Sequence, residues 1–178
     1  GSMNVSTIFK YLINKNKIRI SGYQILKVSN EISSDVIFGM NIKNSILQGN
    51  GKLIRFNKKI KFYTLVIKPN FGCSTGAIYR GIKSFSKPSL SQKNINIFNI
   101  NTLLNLKNDL EIVAFKKYPL LLSIKQKMLN LPKVILVRMT GSGSSIVAYF
   151  NSKKATLNAA KILKRKYKNY WCILSKTI

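Results

Sequence analysis

A run of small residues at the centre of "VRMTGSGSSIVAYF", residues 137–150, has the composition of an anion-binding loop. Closely spaced glycines let successive backbone N–H groups converge on one anion, and serine hydroxyls add donors without blocking access. The run leads into an apolar, strand-like segment and lacks the Lys-Ser/Thr ending of a Walker A loop, so no helix N-terminus is predicted to assist it. By themselves, these residues fit a hairpin turn as well as a phosphate-binding loop.

The carboxylates are the second group that could do chemistry, because the chain has only 4 Asp and Glu against 31 Lys and Arg. Asp109 and Glu111 are predicted in the first turn of a helix, where the helix dipole favours negative charge. Glu31 closes a predicted helix and can pair with lysines. Asp35, in "SSDV", has no capping role that explains it. Such a carboxylate stays ionised among lysines and can accept a proton from a substrate hydroxyl, the alternative being a turn residue.

The absence of histidine from the sequence excludes His-based catalysis and His-containing metal sites. Cys73 and Cys172 lie far apart and show no Cys-x-x-Cys spacing, so we expect two reduced thiols in a cytoplasmic protein. No uncharged apolar run approaches the roughly 18–20 residues that span a bilayer, and no secretory signal is visible. We therefore expect no membrane partner.

The formal net charge of +27 favours an anionic partner, most often nucleic acid. Most of the cations are lysines, however, and asparagine and isoleucine are also heavily used. An AT-rich genome imposes this bias on exposed positions whatever the function. Because the lysines are spread along the chain rather than gathered in blocks, we do not expect nucleic acid to be the partner.

Periodicity and capping signals predict the elements around these residues. A helix is expected at residues 4–13, with Val5, Ile8, Phe9, Leu12 and Ile13 on one face. Two more begin with capping boxes and run from Ser21-x-x-Gln24 to Glu31 and from Asn108-Asp-Leu-Glu111 to Lys117. Further helices are expected from Ser74 or Thr75 to Arg80, after Pro119 and after Ser152. Strands are expected at 37–47, 52–56, 61–68, 134–138, 146–150 and 170–174, with a turn at 49–51 and a mobile loop at 83–102. From Lys61 onward the order βα…ββαβ indicates a ferredoxin-like α+β sandwich.

Four segments resemble, in order and at plausible spacing, motifs of the diphosphocytidyl-methylerythritol kinases of the GHMP kinase superfamily. They are "EISSDVIFGMNIKNSILQGNGKL", "LVIKPNFGCSTGAIYRGI", "NDLE" and "VRMTGSGSSIVAYF". The resemblance implies that residues 61–178 are a GHMP-kinase C-terminal domain and that residues 4–60 are the later part of the N-terminal domain. Residues 1–3 are interpreted as an expression tag and the start methionine.

The same resemblance implies roles for individual residues. Asp35 falls on the catalytic aspartate, which positions and deprotonates the substrate hydroxyl that attacks the γ-phosphate of ATP. A second group, which closes over the phosphates, consists of Gly141, Ser142, Gly143 and Ser144. Thr75 falls near the substrate pocket. The implied reaction is in-line phosphoryl transfer from ATP, with Mg²⁺, to a cytidylylated sugar-alcohol phosphate in non-mevalonate isoprenoid biosynthesis.

The sequence departs from the family pattern in two ways. First, Ser33 and Ile37 stand where glycine and proline are usual in the family. Second, two segments of the family have no counterpart in this sequence: the glycine-rich ATP loop expected before residue 4 and the segment with the substrate-side lysine. Since that loop is the principal ATP cradle, we expect an N-terminally truncated kinase that is inactive alone. The alternatives are a non-catalytic scaffold, as a homodimer or paired with a separately encoded N-terminal half, and a basic nucleic-acid-binding domain.

Overall fold

The contacts within the chain divide it into two units, residues 1–58 and residues 59–177, which we call the first unit and the second unit. A computed structural model describes residues 2–33, 35–40, 42–47, 53–56, 60–88, 90 and 99–177. Within these ranges, none of the helices has both the length and the apolar character that crossing a bilayer requires.

The described part of the first unit contains three helices and a short antiparallel hairpin. These are α1 (Ser2–Lys15), α2 (Gly22–Ile32), α3 (Val36–Met40), β1 (Ser45–Leu47) and β2 (Leu53–Arg55). The capping box predicted at the start of α2 is confirmed: Gln24 N–H donates to Ser21 Oγ at 3.2 Å and Ser21 N–H donates to Gln24 Oε1 at 2.8 Å. The turn predicted at residues 49–51 lies outside the described residues.

One prediction for the first unit is wrong. Residues 37–40, predicted as part of a strand, lie in α3, where Val36 and Ile37 are buried. Burial of this short apolar segment outweighs the preference of its β-branched residues for extended backbone. The helix predicted at residues 4–13 is present as α1, but its buried residue is Ser6. Of its five apolar residues on one face, Ile8 and Leu12 are exposed and the other three are half-buried.

The second unit is a four-stranded antiparallel sheet with helices in its connections. Its elements are β3 (Tyr63–Lys68), α4 (Thr75–Arg80), α5 (Ile100–Asn105), α6 (Leu110–Lys117), α7 (Pro119–Leu129), β4 (Leu136–Met139), β5 (Ile146–Phe150), α8 (Lys153–Lys166) and β6 (Trp171–Lys176). The strand order is β4-β5-β3-β6, and all neighbouring strands are antiparallel. This confirms the predicted ferredoxin-like α+β sandwich.

The core of the second unit lies between one face of this sheet and the helices. Leu65 and Ile67, which share a face of β3, are fully buried there. Helix α8 contributes Ala155, Ala159 and Leu163 at helical spacing. The predicted serine cap of α8 is present, since Ala155 N–H donates to Ser152 Oγ at 3.1 Å. The apolar periodicity of the sequence therefore specifies this packing.

The segment predicted as a mobile loop, residues 83–102, contains the start of a helix. Helix α5 begins at Ile100, and Asn99 Oδ1 accepts a hydrogen bond from Thr102 N–H at 3.0 Å, as expected of a helix cap. Residues 89 and 91–98 of this segment lie outside the described residues. The loop prediction is therefore wrong at its C-terminal end. Asparagine is common both in loops and at the N-caps of helices, so its presence does not distinguish the two.

Candidate active site

The candidate site residue of the first unit, Asp35, lies in the turn between α2 and α3 and is exposed. Its backbone N–H donates to Ser33 Oγ at 3.4 Å. The start of α1 lies beside this turn, because Ser6 Oγ donates to Val36 O at 2.7 Å and the hydroxyls of Ser2 and Ser33 are 3.2 Å apart. The turn that carries Asp35 therefore lies beside a helix N-terminus, whose partial positive charge attracts anions.

Gly39 explains how α1 and α3 approach so closely. A Cβ built on Gly39 would overlap both Cβ and Oγ of Ser6, so only glycine fits against this serine. Ser6 in turn is 2% exposed, and its hydroxyl also lies 2.8 Å from Ser2 O, a second acceptor within hydrogen-bonding distance. The Ser6–Gly39 contact thus holds the turn that carries Asp35 against the first turn of α1.

In the second unit, residues 140–145 form a tight turn between β4 and β5. Thr140 N–H donates to Ser145 O and Gly143 N–H donates to Thr140 O, both at 2.9 Å. Gly141 and Gly143 have φ values of +51° and +89°, which strain any residue with a side chain. At Gly143 a Cβ would also lie 2.9 Å from Met139 Sδ and 3.1 Å from Cys73 Sγ. We call residues 141–144 the glycine loop.

The structure brings Thr75 to the glycine loop. Thr75 is the first residue of α4, which Ser74 caps by accepting from Ala77 N–H at 3.4 Å. Thr75 Oγ1 lies 2.9 Å from Ser142 Oγ, at hydrogen-bonding distance. Of the five candidate residues in the second unit, four are thus consecutive in the glycine loop, and the fifth, Thr75, contacts the loop at Ser142.

The two serine hydroxyls of the glycine loop have different surroundings. Ser144 is 3% exposed and its hydroxyl donates to Phe71 O at 2.7 Å, which ties the loop to the segment between β3 and α4. Ser142 is partly exposed and shares its hydrogen bond with the exposed Thr75 hydroxyl. The hydroxyl that can turn towards a ligand is therefore that of Ser142, whereas that of Ser144 is already used in fixing the loop.

Asn108 is a residue of this site whose role sequence reasoning missed. Its side-chain amide donates to Met139 O at 3.0 Å and to Gly141 O at 2.8 Å, and its Oδ1 accepts from Leu110 N–H at 3.1 Å. The motif "NDLE" contains this asparagine but indicates a helix cap. Its reach to a loop more than thirty residues later depends on tertiary packing.

The capping box predicted for Asn108 and Glu111 is wrong. Helix α6 begins after Asp109, which makes no side-chain capping bond. Asp109 instead accepts hydrogen bonds from both the N–H and the hydroxyl of Ser86, at 2.8 and 2.9 Å. Glu111 accepts from Met139 N–H at 2.8 Å and pairs with Lys125 of α7. Both carboxylates therefore make longer-range contacts than the predicted local cap.

The thiol beside the glycine loop, Cys73, is uncharged at neutral pH, because burial raises its pKa. Burial also raises the pKa of Cys172, and the opposing effect of the Lys164 charge is smaller. Across the described ranges, no three carboxylate or thiol side chains come together as metal ligands. The described candidate residues therefore offer an exposed carboxylate in the first unit and, separately, hydroxyls and backbone donors in the second unit.

A comparison with protein families finds a match within the second unit. Residues 86–169 match the family model "GHMP kinases C terminal". This range begins after α4 and includes the glycine loop, Asn108 and α8.

Two curated relatives match both units. A 4-diphosphocytidyl-2-C-methyl-D-erythritol kinase of Pelagibacter ubique (strain HTCC1062) is 51% identical over 178 residues, covering 100% of this chain and 63% of the relative. Another protein of that name, from Clostridium kluyveri, is 30% identical over 176 residues, covering 94% of this chain and 62% of the relative. The chain thus spans slightly less than two thirds of the length of these relatives.

The fold has a counterpart among solved structures. A crystal structure of a 4-(cytidine 5′-diphospho)-2C-methyl-D-erythritol kinase superimposes with a TM-score of 0.74 and 20% sequence identity, covering 97% of this chain and 63% of that one. At this identity the match concerns the fold.

Proposed function

We propose that this chain belongs with the 4-diphosphocytidyl-2-C-methyl-D-erythritol kinases and serves ATP-dependent phosphorylation of their cytidylylated substrate. The observation that carries the proposal is the 51% identity over all 178 residues. The glycine loop and its contact with Thr75 support it, because they supply backbone and hydroxyl donors of the kind that bind phosphate.

In this proposal Asp35 is the catalytic base and orients the substrate hydroxyl. A carboxylate can do both, since it accepts a hydrogen bond from the hydroxyl and takes its proton as the oxygen attacks the γ-phosphate. Its exposure and the neighbouring N-terminus of α1 support the assignment, because a substrate can reach the carboxylate and the helix dipole favours a phosphate nearby. The alternative role, a turn residue alone, predicts no effect on phosphate transfer.

The glycine loop is proposed to bind ATP phosphates through backbone N–H groups and the Ser142 hydroxyl. Ser144 contributes to the same function by anchoring the loop to Phe71 O. Thr75, which shares a hydrogen bond with Ser142, is proposed to face the substrate and to couple its position to that of the loop. Phosphoryl transfer needs mainly positioning and charge stabilisation, which such a set of donors can provide.

Mg²⁺ is proposed to enter with ATP. This ion keeps several waters and binds in large part through the phosphate oxygens of its substrate, so the nucleotide can carry it to the protein. When bound, the ion neutralises charge on the phosphates. The role of this chain's residues is to hold the metal-bearing nucleotide and to orient the hydroxyl that attacks.

The proposal includes low activity for these 178 residues assayed alone. They cover less than two thirds of their curated relatives, and their sequence contains one phosphate-type glycine loop where the family resemblance implies two. Loss of positioning costs a kinase several kcal/mol of its barrier reduction, on the order of 10³-fold or more in rate. We expect binding of ATP without measurable turnover in a coupled assay with Mg²⁺ and the cytidylyl substrate.

Asp35→Asn tests the proposed base. Asparagine has the shape of aspartate but cannot take the proton, so any phosphate transfer should fall by roughly 10²–10⁴-fold. The measurement is transfer of radioactive γ-phosphate to the cytidylyl substrate, with unfolding curves to show that the exposed substitution leaves stability unchanged. Glu31→Asn is the matched control, an exposed carboxylate at the end of α2. Robust turnover of the wild-type chain would refute the low-activity expectation. Where the radioactive assay detects transfer by the wild type, an equal rate for Asp35→Asn would refute the assignment of the base.

A further inference from the structure

We propose that Asn108 is a positioning residue that holds the glycine loop in its phosphate-binding conformation, with Glu111 fixing the residue of β4 that precedes the loop. The inference rests on the proposed function, in which that loop binds ATP phosphates. It concerns how the loop is held rather than which ligand it binds, and it can be tested separately.

The position of Met139 at an edge of the sheet is the starting point. Strand β4 is the first strand in the order β4-β5-β3-β6 and pairs only with β5 in the described sheet. The outward-facing N–H and C=O groups of an edge strand need partners. At Met139 both are bound by side chains, the N–H to Glu111 Oε1 at 2.8 Å and the C=O to Asn108 Nδ2 at 3.0 Å. The start of α6 thus takes the place of a neighbouring strand.

The Asn108 amide has its donors and its acceptor engaged at once. Its nitrogen donates to Met139 O and Gly141 O, and its Oδ1 accepts from Leu110 N–H at the start of α6. An amide held on both sides has one orientation. Since α6 contributes Leu110 and Ala114 to the core, this orientation is tied to the packed interior of the second unit.

The bond from Asn108 to Gly141 O also orients a donor of the loop. A trans peptide unit is planar, with its C=O and N–H pointing in opposite directions. The bond therefore fixes the direction of the Ser142 N–H, which points away from Asn108. Ser142 is the residue whose hydroxyl contacts Thr75. Asn108 thus aims the backbone N–H of Ser142 through the Gly141 carbonyl.

The structural arm of the test uses hydrogen exchange in the full chain without nucleotide. Asn108→Ala removes the donors and the acceptor, whereas Asn108→Asp keeps the acceptor for Leu110 N–H and places negative charge against two carbonyls. In both variants we expect the amides of Thr140 and Gly143, which bond within the turn, to exchange about tenfold faster or more. Asn105→Ala, an exposed asparagine in α5, is the matched control and should exchange like the wild type.

The functional arm follows the same loop amides by NMR during titration with ATP. We expect the wild type to respond at residues 141–144 and Asn108→Asp to bind ATP roughly tenfold more weakly, with Asn105→Ala unchanged. Amides of the core strand β3 report whether a variant is folded, and Asn108→Asp serves where Asn108→Ala fails to fold.

The outcomes separate the inference from the function on which it rests. Unchanged exchange in both Asn108 variants overturns the positioning role. Faster exchange with unchanged ATP affinity also overturns it, because the residue would then act in structure alone. If the wild-type loop ignores ATP, the proposed phosphate-binding function fails, while the exchange arm still decides whether Asn108 holds the loop.

Discussion

At Gly143 of the loop, substitution by any other residue would both strain the backbone and place a Cβ too close to neighbouring side chains. Its φ of +89° disfavours any L side chain, and Met139 Sδ and Cys73 Sγ stand where a Cβ would go. Gly141 has a positive φ as well, but no atom lies within 4 Å of the position that a Cβ would take there. Substitution of Gly141 would therefore introduce backbone strain alone, whereas substitution of Gly143 would add steric crowding.

A series of glycine-to-alanine substitutions measures these two effects. We expect Gly143→Ala to cost about 2–4 kcal/mol of unfolding free energy and Gly141→Ala about 1 kcal/mol. Gly72→Ala is the control, since Gly72 has neither a positive φ nor a neighbour within 4 Å, and it should lie within about 1 kcal/mol of the wild type. Urea unfolding measures all three. Equal costs at Gly141 and Gly143 would contradict the crowding by Met139 and Cys73.

Cys73 gives a chemical readout of the same loop. Because burial raises the pKa of this thiol, we expect N-ethylmaleimide to label it more slowly near neutral pH than it labels a free cysteine, with the rate rising as pH rises above the ordinary thiol pKa. ATP bound at the glycine loop should slow labelling of Cys73 further. Cys172, whose pKa burial also raises, lies on β6 and serves as the internal control. Protection of both thiols, or of neither, would count against ATP at this loop.

At the level of elements, tertiary packing overrides the local preference of one segment. Residues 37–40 have the composition of a strand, yet they form α3, in which Ile37 is buried and Gly39 fits against Ser6 of α1. Elements with local signals behave differently: Ser21 and Ser152 cap α2 and α8 as predicted, since a cap depends on residues within one turn. The local signals therefore predict α2 and α8, whereas the composition of residues 37–40 does not predict α3.

Gly39→Ala tests the contact between α1 and α3. The added methyl group would overlap Ser6, so we expect a loss of about 1–3 kcal/mol of unfolding free energy. Gly22→Ala, in the first turn of α2 with no atom within 4 Å, is the matched control and should be neutral or stabilising by up to about 1 kcal/mol. Circular dichroism during urea unfolding measures both. A neutral Gly39→Ala would mean that the turn carrying Asp35 is not held by this contact.

At the level of the whole molecule, the net charge of +27 contributes little to identifying the function. The candidate residues are Asp35 in the first unit and the hydroxyls and backbone donors of Thr75 and the glycine loop in the second, whereas the lysines are spread along the sequence of both units. Charge of this size attracts polyanions through counterion release, which is independent of sequence. It would also draw ATP towards the protein and raise the rate of association.

Nucleic-acid binding is therefore expected to be weak and non-specific. Fluorescence anisotropy with labelled single-stranded and duplex oligonucleotides should give a Kd of about 10⁻⁴–10⁻⁶ M at physiological salt, weakening steeply as salt increases. Oligonucleotides of different sequence should bind alike, and ATP should not displace them at concentrations that saturate the glycine loop. Tight binding of one sequence at physiological salt would instead favour the nucleic-acid-binding alternative.

The sequence by itself determined the ferredoxin-like element order, the caps of α2 and α8 and the family motifs, because each depends on residues close together in the chain. It could also single out Asp35, Thr75 and the glycine loop, since their types and order resemble a known kinase. Only the tertiary structure decided that Asn108 binds Gly141 O and that the Ser144 hydroxyl binds Phe71 O. Those contacts join residues 33 and 73 positions apart, and the packing of the second unit, rather than any local preference, brings them together.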